Sequence, residues 1–311
     1  MITIIGPGAL GSFFAVKLWK LLGNVNLLDY KKDRCETLSK NGIILEENGE
    51  QIHAFPKLSV DANEFGIQKF VIILVKAFQT KDILKKLVLL CDKDTLVITL
   101  QNGIGAADLL SEVISPSNLA LGITMHGANK KSDNLVVHAG HGDTIIGPYL
   151  RERNERLNEL VSILNKAGIN AKVEQNIYPI LWKKLLINIG INPITAITCL
   201  KNGSILNYHE LVELQKDCVK EAYFILQKAG IDLETNIDEI LTLVEKVCHD
   251  TAQNISSMLQ DRLNLRDTEI DFINGAIVKK ADQLGLNCPI NLTLLRLVKF
   301  FSKNPCQANP K

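Results

Sequence analysis

Residues 2–11, "ITIIGPGALG", set four β-branched residues directly ahead of Gly6, Gly8 and Gly11. The helical pattern "ALGSFFAVKLWKLLG" begins inside this stretch at Ala9. Strand, GxGxxG and helix in that order form a dinucleotide-binding fingerprint. The first glycine permits a tight turn, the second lets a pyrophosphate approach the backbone, and the third lets helix and strand pack closely. The helix N-terminus adds free amides and a positive dipole. A second strand, "VNLLD", ends in Asp29, eighteen residues beyond Gly11, where the fingerprint places its acid. Asp29 favours NAD through the ribose 2′-hydroxyl and repels a 2′-phosphate. Lys31, Lys32 and Arg34 in "DYKKDR" either suit that phosphate or form a solvated helix start. The two signals conflict.

Outward from the fingerprint, "FVIILVKA", "TLVITLQNG" and "LALGITM" read as further strands. Helical stretches such as "QTKDILKKLVLL" and "GAADLLSEV" lie between them, and this alternation predicts a parallel sheet covered on both faces. "NLVVHAG" and "DTIIGP", joined by "HG", read as an antiparallel pair at the sheet's edge or end. From about Tyr178 strands give way to leucine-rich helical periods, several of them ending in Lys-Ala-Gly or Gln-Leu-Gly, a glycine stop. The expectation is a Rossmann-type doubly wound α/β domain over 1–174 and an all-helical domain over 175–311. The closing "NPCQANPK" reads as a frayed tail.

Composition agrees with a soluble two-domain protein: 311 residues, 46% hydrophobic, 22% charged, formal net charge +1. Near-neutral charge gives no reason to expect nucleic acid or an anionic membrane as partner. The N-terminal segment lacks the pattern of a cleaved leader, and no apolar run reaches the roughly 20 residues that span a bilayer. The default is a cytoplasmic protein. Seven cysteines without a CxxC pair fit scattered reduced thiols. His138 and His141 lie three apart in a strand-like segment with no carboxylate beside them, so no metal site is expected.

The apolar stretch "LWKKLLINIGINPITAI", residues 181–197, carries Lys184, Asn188 and Asn192 at i, i+4 and i+8. That spacing aligns an amine and two amides along one side of a helix. A lysine there either snorkels to water or faces a wet cleft, and Pro193 hints at a break or kink. A second polar cluster comprises Asn254, Ser256, Ser257 and Glu269, with Thr268 or Asp267 available as a helix cap. It suits a small oxygen-rich ligand, or is simply a capped, charged helix start. Lys76 in "VKAFQT" and Asn102 in "LQNGIG" follow later strands, where open α/β sheets bind ligands.

Taken together, "GPGALG", "VKAFQ", "QNGIG", "LWKKLLINIGINPITAI" and "TAQNISSMLQDRLNLRDTEIDFINGAIV" resemble the ketopantoate reductase (2-dehydropantoate 2-reductase) family in order and over nearly the whole chain. The resemblance implies a Rossmann domain followed by a helical domain like that of 6-phosphogluconate dehydrogenase. It implies NADPH-dependent reduction of ketopantoate to pantoate, toward pantothenate and coenzyme A, with NAD open because Tyr30, Lys31 and Lys32 stand where many members carry an arginine. By the same resemblance Lys184 is the catalytic lysine, Glu269 the glutamate near ribose and substrate, and Asn188, Asn192, Asn202 and Ser257 substrate contacts. Asn254 and Ser256 join them from the same polar cluster. Cofactor contacts fall on Gly6, Pro7, Gly8, Ala9, Leu10, Gly11, Lys76, Asn102 and Ala128, and on Glu269, with Lys31 added for a 2′-phosphate. The implied partner is a small 2-keto acid, and the protein a monomer or homodimer. Reduction of another branched 2-keto acid, or a non-catalytic dinucleotide sensor, are the alternatives.

Overall fold

Strand β1 (Ile2–Ile5) is buried at every position and lies inside an eight-stranded sheet in the computed structural model, which describes residues 1–304. The other strands are β2 (Asn26–Leu28), β3 (Ile43–Glu47), β4 (Glu50–Ala54), β5 (Lys57–Ser59), β6 (Phe70–Ile73), β7 (Leu96–Thr99), β8 (Leu119–Thr124), β9 (Gly127–Lys130), β10 (Leu135–Gly140), β11 (Thr144–Pro148) and β12 (Ala171–Val173). The large sheet runs β12-β11-β8-β7-β6-β1-β2-β5, and only β11 meets its neighbour β8 antiparallel. Helices α1 (Ala9–Leu22), α2 (Lys32–Asn41), α3 (Thr80–Leu90), α4 (Ala106–Leu110) and α5 (Glu155–Lys166) connect these strands. The all-buried runs of β1, β6, β7 and β8 are what a parallel sheet covered on both faces requires. One apolar cluster gathers Phe13, Phe14 and Leu18 of α1 with Leu160 and Leu164 of α5, and another gathers Ile83 and Leu87 of α3 with Val71 and Val97.

The expected hairpin between "NLVVHAG" and "DTIIGP" does not form. β10 joins a separate four-stranded sheet, β4-β3-β10-β9, while β11 pairs with β8 in the large sheet. Burial explains the separation: β11 is buried throughout and fits a doubly covered sheet, whereas β10 is half-exposed along most of its length. The smaller sheet lies against α1.

The chain divides into compact units of 1–101 with 106–177, and 102–105 with 178–311. The second unit is built on α6 (Tyr178–Thr198), flanked by α7 (His209–Lys228), α8 (Ile237–Asp250), α9 (Ser257–Leu263) and α11 (Pro289–Lys303), with α10 (Asn274–Leu284) packed on α7 and α11. By length and composition α6 is apolar enough to cross a membrane, but 67% of its most apolar window is buried within the protein, as in a core helix. Pro193 does not end it. The proline cannot donate to the Ile189 carbonyl, and the Cys218 thiol lies 3.6 Å from that oxygen while Gln215 Nε2 donates to Gly190 O at 3.0 Å. Gly190 allows this approach, since a Cβ there would come within 2.9 Å of Val244 and 3.0 Å of Val219. The glycine stops after α5, α7 and α10 hold as expected, with Gly168, Gly230 and Gly285 at φ of 75°, 70° and 66°. Cys306 and the tail from residue 305 lie outside the described residues.

Candidate active site and cofactor cradle

In the first unit, the turn after β1 needs its glycines for distinct reasons. Gly6 sits at φ +105°, donates its N–H to Leu28 O at 3.0 Å, and has no room for a Cβ beside Val75. A Cβ on Gly11 would collide with the Gly6 carbonyl. A Cβ on Gly8 would meet nothing within 4 Å, so open space lies over the exposed residue that precedes α1. No side chain caps α1, which leaves its first-turn amides, from Ala9 and Leu10 onward, for an outside acceptor. Pro7 is buried beneath this turn. An open, uncapped helix N-terminus fits a dinucleotide pyrophosphate.

Beyond the turn, Asp29 is 3% exposed, and its carboxylate is already engaged. Arg34 donates through Nε to Oδ2 at 2.6 Å and through Nη2 to Oδ1 at 2.5 Å, and the Tyr30 amide donates to Oδ1 at 2.6 Å. The Arg34 guanidinium also lies 5.4 Å from the centre of the Tyr30 ring. Lys130, which no local sequence signal singles out, donates to Pro7 O at 3.4 Å and pairs with Asp133 at 3.2 Å. Burial, with the nearby Arg34, pushes its ammonium below the usual lysine range. Lys31 and Lys32 are exposed. Of the three bases in "DYKKDR", Arg34 alone pairs with Asp29. Lys76 opens the 3₁₀ turn Ala77–Gln79, and Ala128 pairs with His138 across β9 and β10.

In the second unit, α6 presents Lys184 and Asn188 half-buried and Asn192 buried along one stripe. The apolar residues between them, Leu185, Leu186, Ile189 and Ile191, enter the core. Burial pushes Lys184 down to about 8, with attraction to Glu269 opposing the shift. Glu269 is buried and accepts a hydrogen bond from Asn102 Nδ2 at 3.3 Å. That contact joins residues 167 apart in sequence. The Asn102 loop is held by Ile104 N–H donating to Phe272 O at 2.9 Å, and Gly103, at φ +85°, passes too close to Phe272 for any side chain. Thus Lys184, Glu269 and Asn102 come together electrostatically. Asn188 and Asn192 place no side-chain hydrogen bond on another described residue, so their amides are available to a ligand.

The other predicted contacts divide into structural and open groups. Ser256 is buried: its Oγ caps α9 by accepting from Leu259 N–H at 3.1 Å and lies 2.7 Å from Thr195 Oγ1. Its hydroxyl therefore ties α9 to α6. Ser257 and Asn254 are exposed. Asn202 is buried, donates through Nδ2 to Thr251 at 2.9 Å, and has an Oδ1 without a partner among the described residues. Arg262, absent from the sequence-based site, donates to the Ala196 carbonyl and, at 3.2 Å, to that of Ile197 at the end of α6.

A cation close to neutral titration, a buried carboxylate and free amides form a group able to stabilise a developing alkoxide and deliver a proton to it. Comparisons with known proteins identify the family. Residues 2–151 match the family model described as ketopantoate reductase PanE/ApbA, and residues 176–302 match its C-terminal model. The 2-dehydropantoate 2-reductase of Pyrococcus horikoshii is 34% identical, with 96% of each chain covered. A ternary structure of D-mandelate dehydrogenase with NADH and anilino(oxo)acetate superposes with a TM-score of 0.91 at 25% identity, covering 97% of this chain and 98% of that one. The probable 2-dehydropantoate 2-reductase of Bacillus subtilis gives 0.80 at 28% identity, covering 96% and 99%. A mixed α/β unit with this sheet, a helical unit with this stripe of polar residues, and matches over both halves place the chain in the ketopantoate reductase family of NAD(P)-dependent oxidoreductases.

Proposed function

We propose that the chain reduces 2-dehydropantoate to (R)-pantoate with NADPH, a step toward pantothenate and coenzyme A, and that Lys184 is the general acid. The observation that carries this reading is Lys184 itself: a lysine on a core helix, brought to about 8 by burial and attracted by Glu269. Gly6 to Gly11 hold the pyrophosphate, and Lys76, Asn102, Ala128 and Glu269 contribute to the rest of the dinucleotide. When bound, the nicotinamide supplies hydride to the 2-keto carbon. As negative charge grows on the carbonyl oxygen, the Lys184 ammonium stabilises it and gives it a proton, a role worth about 10²–10⁴-fold in rate. Glu269 favours the charged form of Lys184. Asn188 and Asn192 orient the substrate oxygens, and Ser257, Asn254 and Asn202 contribute at its polar end.

For the cofactor, the paired Asp29 supports NADPH over NADH. Both Asp29 oxygens already accept bonds from Arg34, which offsets the repulsion the carboxylate would exert on a 2′-phosphate, and Lys130 stands nearby. Lys31, exposed beside Tyr30, adds to that field. A second reading rests on the likeness to D-mandelate dehydrogenase with NADH: reduction of a different branched or aromatic 2-keto acid. Six described cysteines are free, which suits a reducing, cytoplasmic setting.

Initial rates with 2-dehydropantoate and a panel of branched and aromatic 2-keto acids, each with NADPH and with NADH, test both readings. The first requires the highest kcat/KM for 2-dehydropantoate with NADPH. A higher value for a phenyl-substituted keto acid with NADH establishes the second.

A further inference from the structure

The side chains of His126, His138, His141, Glu47 and Lys17 meet between the smaller sheet and α1, and the proposed reduction uses none of them. Glu47 ends β3 and His138 lies in β10, so a contact invisible in sequence brings a carboxylate to the His138–His141 pair, 91 residues away. Glu47 Oε1 is 2.6 Å from His138 Nδ1, and Lys17 Nζ holds the other carboxylate oxygen at 2.8 Å. His138 Nε2 lies 3.1 Å from His126 Nδ1. The His138 ring is packed on Phe13, with centroids 4.5 Å apart, and its side chain is 1% exposed. His141, by contrast, is exposed, with its ring centroid 4.3 Å from that of His138. One donor atom from each of Glu47, His138 and His141 lies within 4.8 Å of the other two.

We propose that Glu47, His138 and His141 form a binding site for a divalent transition metal of the zinc class. Two imidazoles and one carboxylate match the donors that zinc and cobalt take, at bond lengths of about 2.0–2.2 Å. Donors on one such ion lie at most about 4.2 Å apart, so rotation of the exposed His141 side chain completes the set. His138 is oriented as a metal-bound histidine needs to be. With Nδ1 on the metal, its Nε2–H donates to His126 Nδ1, which fixes the tautomer. His126 Nδ1 is held in place to receive it by packing of the His126 ring on Phe13, with centroids 5.1 Å apart. Lys17 leaves Glu47 Oε1 for the ion by occupying Oε2. The exposed side at His141 supplies both an entry path and room for water in the remaining coordination positions. No oxidation or group transfer is involved; the ion ties β3 and β10 together against α1.

The test is metal titration of the full-length, chelator-treated protein with Co²⁺, followed by d–d absorption, and with Zn²⁺, followed by competition against a chromogenic chelator. One equivalent per chain is expected for each metal. His141→Ala and Glu47→Gln each weaken binding about tenfold or more. His141 is exposed, so its variant keeps the fold, which circular dichroism checks. Absence of a cobalt spectrum overturns the proposal, as does binding that is unchanged in both variants. Displacement of cobalt by an equal concentration of Mg²⁺ overturns the assignment of nitrogen donors.

Discussion

Lys184 sets the pH dependence of reduction if it is the proton donor. Its fall from the ordinary 10.5 to about 8 means that burial, partly offset by Glu269, disfavours the ammonium relative to the neutral amine by a net ~3 kcal/mol. A general acid must be protonated to act. With a pKa of about 8, roughly nine in ten chains carry the acid at pH 7 and about one in ten at pH 9. The kcat/KM for reduction therefore stays flat below neutral pH and drops about tenfold per unit above 8. The sign of the Glu269 effect follows from the same causes. Its charge raises the Lys184 pKa against the larger effect of burial, so Glu269→Gln lets burial dominate and moves the alkaline limb to lower pH. Lys184→Arg is the complementary variant. A guanidinium stays charged across the range, so the limb disappears while the rate falls, because the proton is no longer available. Stopped-flow or steady-state rates from pH 6 to 10, with saturating cofactor, measure all three proteins. An alkaline limb that persists in Lys184→Arg refutes Lys184 as the acid, and one that stays in place in Glu269→Gln refutes the coupling.

Two further outcomes test other parts of the site. Arg34→Ala frees the Asp29 carboxylate and removes the guanidinium beside it, so kcat/KM with NADPH falls by about 10-fold or more while that with NADH changes less; equal losses with both cofactors refute the phosphate role. Asn188→Ala removes an amide that no other described residue engages, so it raises KM for the keto acid about 5–30-fold at nearly unchanged melting temperature, as thermal unfolding and initial rates will show.

What the sequence made legible is what depends on neighbours along the chain. The turn at Gly6–Gly11 is local, since strand, glycines and helix follow one another directly, and the structure gives each glycine the steric role its spacing suggests. The Lys184–Asn188–Asn192 stripe is local too, because helical periodicity alone aligns it. Alternation also identified β10 and β11 as strands, but it does not say which sheet receives them, and burial sent them to different ones. Residues 43–59 give little strand signal because β4 is mainly polar and exposed and β3 carries its apolar residues only in its first three positions. Asp29 and its bases looked contradictory in one dimension. In three, Arg34 is the base that pairs with Asp29 while Lys31 and Lys32 stay exposed, and Lys130, far away in sequence, donates to Pro7 O in the glycine turn.

The neighbouring serines of α9 show why identical chemistry in sequence separates in the fold. Ser256 and Ser257 differ by one position at a helix start, and either suits an oxygen-rich ligand. The first turn of α9 decides between them: the residue at the cap must turn its hydroxyl back onto the Leu259 amide, and there it also meets Thr195 of α6. The next residue points elsewhere and remains exposed. The cap thus fixes α9 against the same helix that carries Lys184 and Asn192, with Thr195 only three residues beyond Asn192. Arg262 reinforces that junction by donating to the Ala196 and Ile197 carbonyls. The position of the polar stripe on α6 is therefore held by residues that need not touch substrate themselves. That division explains how a helix whose other faces are packed into a core can present an amine and two amides in fixed register: the apolar faces set its depth, and the Thr195–Ser256 and Arg262 contacts set its position along the axis.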